Sequence, residues 1–363
     1  MNGRPKFLPS TLLLSTFILC APQLSALASE STMPAGFVET ISPELASKYK
    51  FTEDGEFTKK LNIPTYEWMP TAAPPRAIVI AIHGLTLHGR RYRVLARMLA
   101  ANDVGVVSLD MRGFGRCRFD EKKQFSTAGD DKAKVNHEKS YEDIVQLARL
   151  VKDKYPGLKI IVMGESLGCT FCVRLGAEHP ELADAMVLSA PAVRLNTKMF
   201  FGHGTAARGI KAVFTPTHEI NLHSFFEYLV SNKQLVVNEM IDDPQTVKSL
   251  SLRALLSTDK FVSKTASYGK GISEKMPILI LQGSKDSCVS PKEVTKLMSA
   301  MPSSDQTLAW RSNYGHLQLE TVYMRTAIID AVINFLRDHS KENIPGLRAF
   351  QQQIIDAGGT LAD

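Results

Sequence analysis

From Ala77 onward, short apolar runs alternate with amphipathic stretches. Ala77 to Ile82 is a continuous apolar run that stops at His83-Gly84, the pattern of a strand buried on both faces. Tyr92 to Ala101 places Val94, Leu95, Met98 and Leu99 on one side of a helix. Val104 to Leu109 reads as the next strand. Ser140, with Asp143 three residues on, predicts the opening of a helix whose apolar face is Ile144, Val145, Leu147, Ala148 and Val151. Pro156-Gly157 ends it. A strand over Lys159 to Met163 and a helix from Ser166 to Ala177 follow. Further strands are predicted at Ala185 to Ser189, Ile278 to Gln282 and Thr307 to Trp310, and a last helix from Thr321 to Asp338.

This alternation predicts an α/β fold, a mostly parallel sheet with helices on both faces. Val193 to Met276 departs from it. The stretch is irregular and mostly helical, carries Phe200-Phe201 and Phe225-Phe226, and falls between two sheet strands. An insertion so placed covers one end of a sheet. The expected organisation is therefore a core over residues 29–192, a helical cap over 193–276, the core again over 277–340, and a tail over 341–363.

The first residues read differently. Arg4 and Lys6 precede an uncharged apolar run, Thr11 to Cys20, and then the small-x-small sequence Ala26-Leu27-Ala28. Basic, apolar, small is the order of a secretory signal peptide, so residues 1–28 are expected to direct export to the periplasm or outside the cell. An uncleaved anchor is the alternative. Loss of Arg4 and Lys6 would lower the net charge from +6 to +4. No basic block with interleaved aromatics occurs, which argues against nucleic-acid binding. Of five cysteines, Cys20 lies in the leader; Cys169-x-x-Cys172 reads as two small buried helix residues rather than a redox pair.

Gly164-Glu165-Ser166-Leu167-Gly168 is a G-x-S-x-G sequence directly after a strand and before an apolar helix, the setting of a nucleophile elbow. A serine needs a base, and the base an orienting acid. With the chain order Ser, acid, His, Asp286 lies just past the strand Ile278–Gln282, and His316 just past the next one. Both fall at the same sheet edge as Ser166. Rival acids are Glu274, Glu293 and Asp305; rival histidines are His179, His203, His218, His223 and His339. Two backbone N–H donors for an oxyanion are expected from Leu167 and Leu85. His83 reads as a brace for the Leu85 loop, Asp110 and Arg112 as a loop ion pair, and Glu165 as a supporting or surface group rather than a catalyst. No metal or phosphate-loop spacing is present, and no cofactor is implied.

These pieces resemble the serine α/β-hydrolases related to monoacylglycerol lipases, lysophospholipases and serine aminopeptidases. The resemblance rests on His83-Gly84-Leu85 with His88-Gly89-Arg90-Arg91-Tyr92, Asp110-Met111-Arg112-Gly113-Phe114-Gly115, the elbow, Gly283-Ser284-Lys285-Asp286 and Gly315-His316, in family order across residues 76–338. It implies the α/β-hydrolase fold and ester hydrolysis through an acyl-enzyme, with a monoacylglycerol or lysophospholipid as the first substrate expectation. Aminopeptidase or thioesterase activity, or a non-catalytic binding protein on the same fold, are the alternatives. An apolar cap also implies transient contact with a membrane surface. Arg116-Cys117 departs from the family's small polar residue, and the cap has no recognisable match.

Overall fold

The computed structural model describes residues 42–119, 124–125, 130–194 and 217–340. The strands are β1 (Tyr49–Glu53), β2 (Thr65–Pro70), β3 (Ala77–Ile82), β4 (Val104–Leu109), β5 (Lys159–Glu165), β6 (Ala185–Ser189), β7 (Glu219–Asn221), β8 (Ser249–Ser251), β9 (Ile278–Gly283) and β10 (Gln306–Arg311). Eight of them form one sheet, in the order β1-β2-β4-β3-β5-β6-β9-β10. β1 and β2 join antiparallel; from β4 to β10 every neighbouring pair is parallel. The expected α/β-hydrolase architecture is present.

Alternate residues of the central strands feed two cores. Ile78, Ile80, Ile82 and Val162 pack toward helices His137–Lys154 and Leu167–Glu178. Val79, Ala81, Ile161 and Met163 pack toward helices Arg93–Ala100 and Thr326–Ser340. The period-2 geometry of a strand makes this division, and burial on both faces explains the absence of polar positions in β3.

Several elements differ from the sequence expectation, the unforeseen helix Pro291–Ala300 among them. β1 and β2 were not foreseen: in β2 Thr65 and Glu67 are buried beside Tyr66 and Trp68. Polar residues broke the apolar run, yet they are accommodated, since Thr65 bonds Thr58 hydroxyl to hydroxyl at 2.7 Å and Glu67 meets Lys154. The helix expected from Ser140 begins at His137, because Asn136 caps it by accepting the N–H of Lys139; the Ser140 hydroxyl instead turns inward to accept the N–H of Arg112. The last helix begins at Thr326 rather than Thr321. The hydroxyl of Thr321 and the N–H of Val322 are drawn off to the carboxylate of Glu239.

The segment between β6 and β9 is an insert. Its described part holds helices Gln234–Asp242 and Leu252–Val262, a π-helical turn Phe226–Val230, and the antiparallel ribbon β7–β8. Phe226 is buried, Phe225 partly so, and Tyr228 is exposed. Phe200 and Phe201, the expected signal peptide and the tail lie outside the described residues.

Candidate active site

β5 ends at Glu165 and a helix begins at Leu167, leaving Ser166 alone in the turn with φ 54° and ψ −114°. A non-glycine residue on the left-handed side costs on the order of 1–3 kcal/mol and persists only where its surroundings over-determine it. Here the N–H of Ser166 donates to the Ser189 carbonyl at 2.8 Å, and its own carbonyl accepts from Cys169 and Ala192, both at 3.1 Å. The two elbow glycines are steric requirements. A Cβ at position 168 would lie 2.0 Å from the Ile82 carbonyl oxygen, and one at 164 would lie 2.5 Å from the Gly168 carbonyl carbon. Leu167 is the first helical residue, so its N–H has no intrahelical acceptor.

Asp286 and His316 meet directly, with Nδ1 of His316 2.9 Å from Oδ2 of Asp286. Both side chains are withdrawn from solvent. Asp286 is held by the N–H groups of Cys288 and Val289 on Oδ1, at 2.8 and 2.9 Å, and by the amide of Gln282 on Oδ2. Burial alone would raise the Asp286 pKa, but the His316 charge and these donors overcome it and hold the carboxyl below its ordinary range. Burial works equally against the charged imidazole, yet Asp286 raises the His316 pKa above the ordinary histidine value. Two rivals have other neighbours: His179 lies 3.3 Å from Glu181, and His339 lies 3.8 Å from Asp305.

The Leu85 loop abuts the elbow: a Cβ on Gly84 would stand 3.7 Å from Ser166 Cβ. Thr86 has φ 72°, so the loop is bent through a conformation side chains seldom adopt. His83 braces it. Nε2 accepts the N–H of Met111 at 2.9 Å, which places the proton on Nδ1 for the Gly84 carbonyl at 2.8 Å. Complete burial lowers the His83 pKa to about 3, so the ring stays neutral. Asp110 and Arg112 do not pair with each other as expected. Asp110 is buried and accepts from Gly89 N–H, Arg116 N–H and the Tyr66 hydroxyl, whereas Arg112 forks onto Asp143 and also reaches Asp130. Each ties a loop together, with different partners.

Glu165 brings the His316 segment to the elbow. Its carboxylate accepts the hydroxyl of Ser189 and the N–H groups of Gln318, Leu319 and Glu320, at 2.7 to 3.2 Å. The insert adds its own ties. The Val230 carbonyl accepts from His316 and Leu317, the Val247 N–H donates to the Thr86 carbonyl, and Asp243 meets His88 at 2.9 Å and Arg91 at 3.3 Å. Cys288 offers a thiol beside the acid–base pair, the donor atoms of all three lying within 4.8 Å. Loss of solvent and the Asp286 charge push that thiol's pKa well up, which keeps it protonated and disfavours the thiolate a metal requires. Cys117, Cys169 and Cys172 are free and buried.

Sequence reasoning missed Gln282, Glu239, Asp243, Glu320 and the carbonyl of Val230. Gln282 acts on Asp286 only four residues on, and its strand-terminal position offered a signal; the others act across long separations and offered none.

The family model described as serine aminopeptidase, S33, matches residues 73–320. Human monoglyceride lipase is 25% identical over 242 residues, covering 66% of this chain and 75% of that protein. Monoacylglycerol lipase of Mycolicibacterium smegmatis is 25% identical over 248 residues, covering 66% and 80%. A soluble variant of Saccharomyces cerevisiae monoglyceride lipase, solved with a substrate analogue, superposes with a TM-score of 0.64 at 20% identity, covering 85% of this chain and all of that one. With the family model spanning most of the chain over an α/β-hydrolase sheet, the protein belongs to the serine aminopeptidase S33 family of α/β-hydrolases and is a serine hydrolase.

Proposed function

We propose that the chain hydrolyses carboxylic esters through an acyl-enzyme on Ser166, with a monoacylglycerol or a lysophospholipid as substrate. In this reading Ser166 Oγ attacks the acyl carbon, His316 takes its proton, and Asp286 orients the imidazole and stabilises its charged form. The N–H groups of Leu85 and Leu167 hold the oxyanion. Water then releases the acyl group with His316 again as base.

The observation that carries this reading is the union of a strained serine turn with a buried His316–Asp286 pair, joined through Glu165. The names of the relatives favour glycerol monoesters. The insert, read as a cap over residues 193–276, would hold the acyl chain. Tyr228 and Leu256 are exposed on it and would make its transient contact with a membrane surface. Each buried methylene is worth about 0.8 kcal/mol, close to fourfold in binding. Over a series of monoacylglycerols, kcat/KM therefore climbs with acyl length until the pocket fills. A flat profile contradicts the lipid reading, and faster turnover of aminoacyl amides favours the peptidase named by the family description. Export of the chain after cleavage near Ser29 belongs to the same reading. Intact-mass measurement on protein from its native host checks it.

A further inference from the structure

Two fully buried carboxyl-bearing residues, Glu165 and Glu320, are tied to each other, the N–H of Glu320 donating to the Glu165 carboxylate at 3.0 Å. Their partners differ. Glu165 accepts four backbone or hydroxyl donors across both oxygens, the complement of an anion. Glu320 accepts one N–H, that of Gly84, on Oε2 at 2.9 Å. Its Oε1 is buried and has no hydrogen-bond partner among the described residues.

The charges around Glu320 do not favour a second anion. Arg91 approaches it from the turn Gly89–Tyr92 and its charge favours an anion, but Nε bonds the backbone carbonyl of Glu320, Nη1 is committed to Glu239 at 3.0 Å and Asp243 at 3.3 Å from the insert, and the buried Nη2 makes no hydrogen bond to the Glu320 carboxyl. Arg93 also faces Glu239. From the elbow comes Glu165, whose own pKa burial raises although the Ser189 hydroxyl, the Gln318 and Leu319 N–H groups and His316 work against this, and from the following helix the neutral thiol of Cys169. Tyr92 adds a phenol whose own ionisation is opposed by burial first and by the two carboxyl groups after it. Burial first, then Glu165, push the Glu320 pKa well up; the Gly84 N–H and Arg91 oppose this only in part.

We propose that Glu320 is a positioning residue held as an uncharged carboxylic acid, which fixes the oxyanion loop through the Gly84 N–H and stops turnover when it ionises. The inference rests on the reading of Leu85 and Leu167 as oxyanion donors. The Gly84 N–H lies in the peptide just before the one that carries the Leu85 N–H, whose own carbonyl is held by His83 Nδ1, so the Glu320 bond fixes the loop at the joint next to that donor. A neutral carboxyl does this without opposing the negative charge that develops on the substrate oxygen. An anion at the same place would oppose it across a buried, low-dielectric gap.

The test compares pH profiles of kcat for the native enzyme, Glu320→Gln and Glu320→Leu, on one ester. Glutamine keeps a carbonyl for Gly84 and cannot ionise; leucine offers no acceptor. The native enzyme loses kcat at alkaline pH, Glu320→Gln retains it there, and Glu320→Leu falls at least tenfold at neutral pH with little change in KM. Glu165→Gln gives an independent check in an unaltered Glu320 background. Removing that neighbouring charge eases ionisation of Glu320, so the alkaline limb moves to lower pH. The proposal is overturned if Glu320→Gln keeps the native alkaline limb, if it is as impaired as Glu320→Leu, or if the limb stays in place in Glu165→Gln. Fluorophosphonate labelling of Ser166 in the native protein separates these results from failure of the hydrolase reading itself.

Discussion

The elbow and the insert hold the same site by opposite means. At the elbow the constraint is local and steric: within five residues, two glycines and one strained serine leave the backbone no alternative. The insert acts at a distance. Val230, Glu239, Asp243 and Val247 each reach a loop far away in sequence, through a few hydrogen bonds or ion pairs. Steric constraint fails all at once, because backbone atoms cannot interpenetrate. A set of separate polar ties weakens by degrees and responds to pH. The difference teaches that nucleophile geometry is built into the core, whereas the loops carrying Leu85 and His316 are held partly from outside it.

The largest effects belong to the chemistry at the elbow. Ser166→Ala and His316→Ala each lower kcat by at least about 10⁴-fold, and Asp286→Asn lowers it by about 10⁴-fold. Steady-state kinetics on a p-nitrophenyl ester measures all three. Retention of full turnover by any of them breaks the assignment.

Gly168→Ala comes next. Its Cβ would sit 2.0 Å from the Ile82 carbonyl, so the elbow must shift. A displacement of this kind costs on the order of 10²-fold in activity, with a lowered Tm. An alanine variant of native activity would show that the turn is less constrained than the elbow comparison requires.

The insert's ties are smaller in effect and are read in stability. Asp243→Ala leaves His88 without its buried acidic partner and Arg91 with Glu239 alone, and costs about 3 kcal/mol by denaturant unfolding. Asp243 also carries a pH signature. Burial opposes its charge, but His88 and Arg91 hold its folded pKa below the ordinary 3.8. A group depressed in the folded state contributes stability above its unfolded pKa and loses it as pH falls below that value. The native protein is therefore acid-labile below about pH 4, and Asp243→Ala loses much of that dependence. Equal acid sensitivity in both proteins contradicts the tie.

The smallest effect concerns His316. Its pKa is raised, so the imidazole stays protonated to higher pH, and only the neutral form acts as base. The acid limb of kcat/KM lies above the ordinary histidine value of about 6.5. In the residual activity of Asp286→Asn it moves to lower pH. A limb that does not move places the acidic partner elsewhere.

The same contrast explains what the sequence disclosed. β3, β4 and β6 match their expected bounds because their residues, apart from Ser108 and the terminal Ser189, are apolar on both faces. The elbow was legible because sterics demand glycine at 164 and 168. Asp286 and His316 were legible from their position after strands. β2 was not, because Thr65 and Glu67 are polar yet buried against partners distant in sequence. Glu320 and Asp243 could not be ranked among the chain's many acids. Their character comes from backbone donors and charges that only the folded chain gathers. The start of the last helix was misplaced for the same reason, since Glu239 of the insert takes the groups of Thr321 and Val322.

The central claim is that Ser166 is the nucleophile, and mass spectrometry of the fluorophosphonate-treated protein tests it most directly. The account predicts one adduct on the native chain, mapped to the peptide containing Ser166, none on Ser166→Ala, and slowed formation on His316→Ala. An adduct that persists on Ser166→Ala, or that maps to another residue, contradicts it.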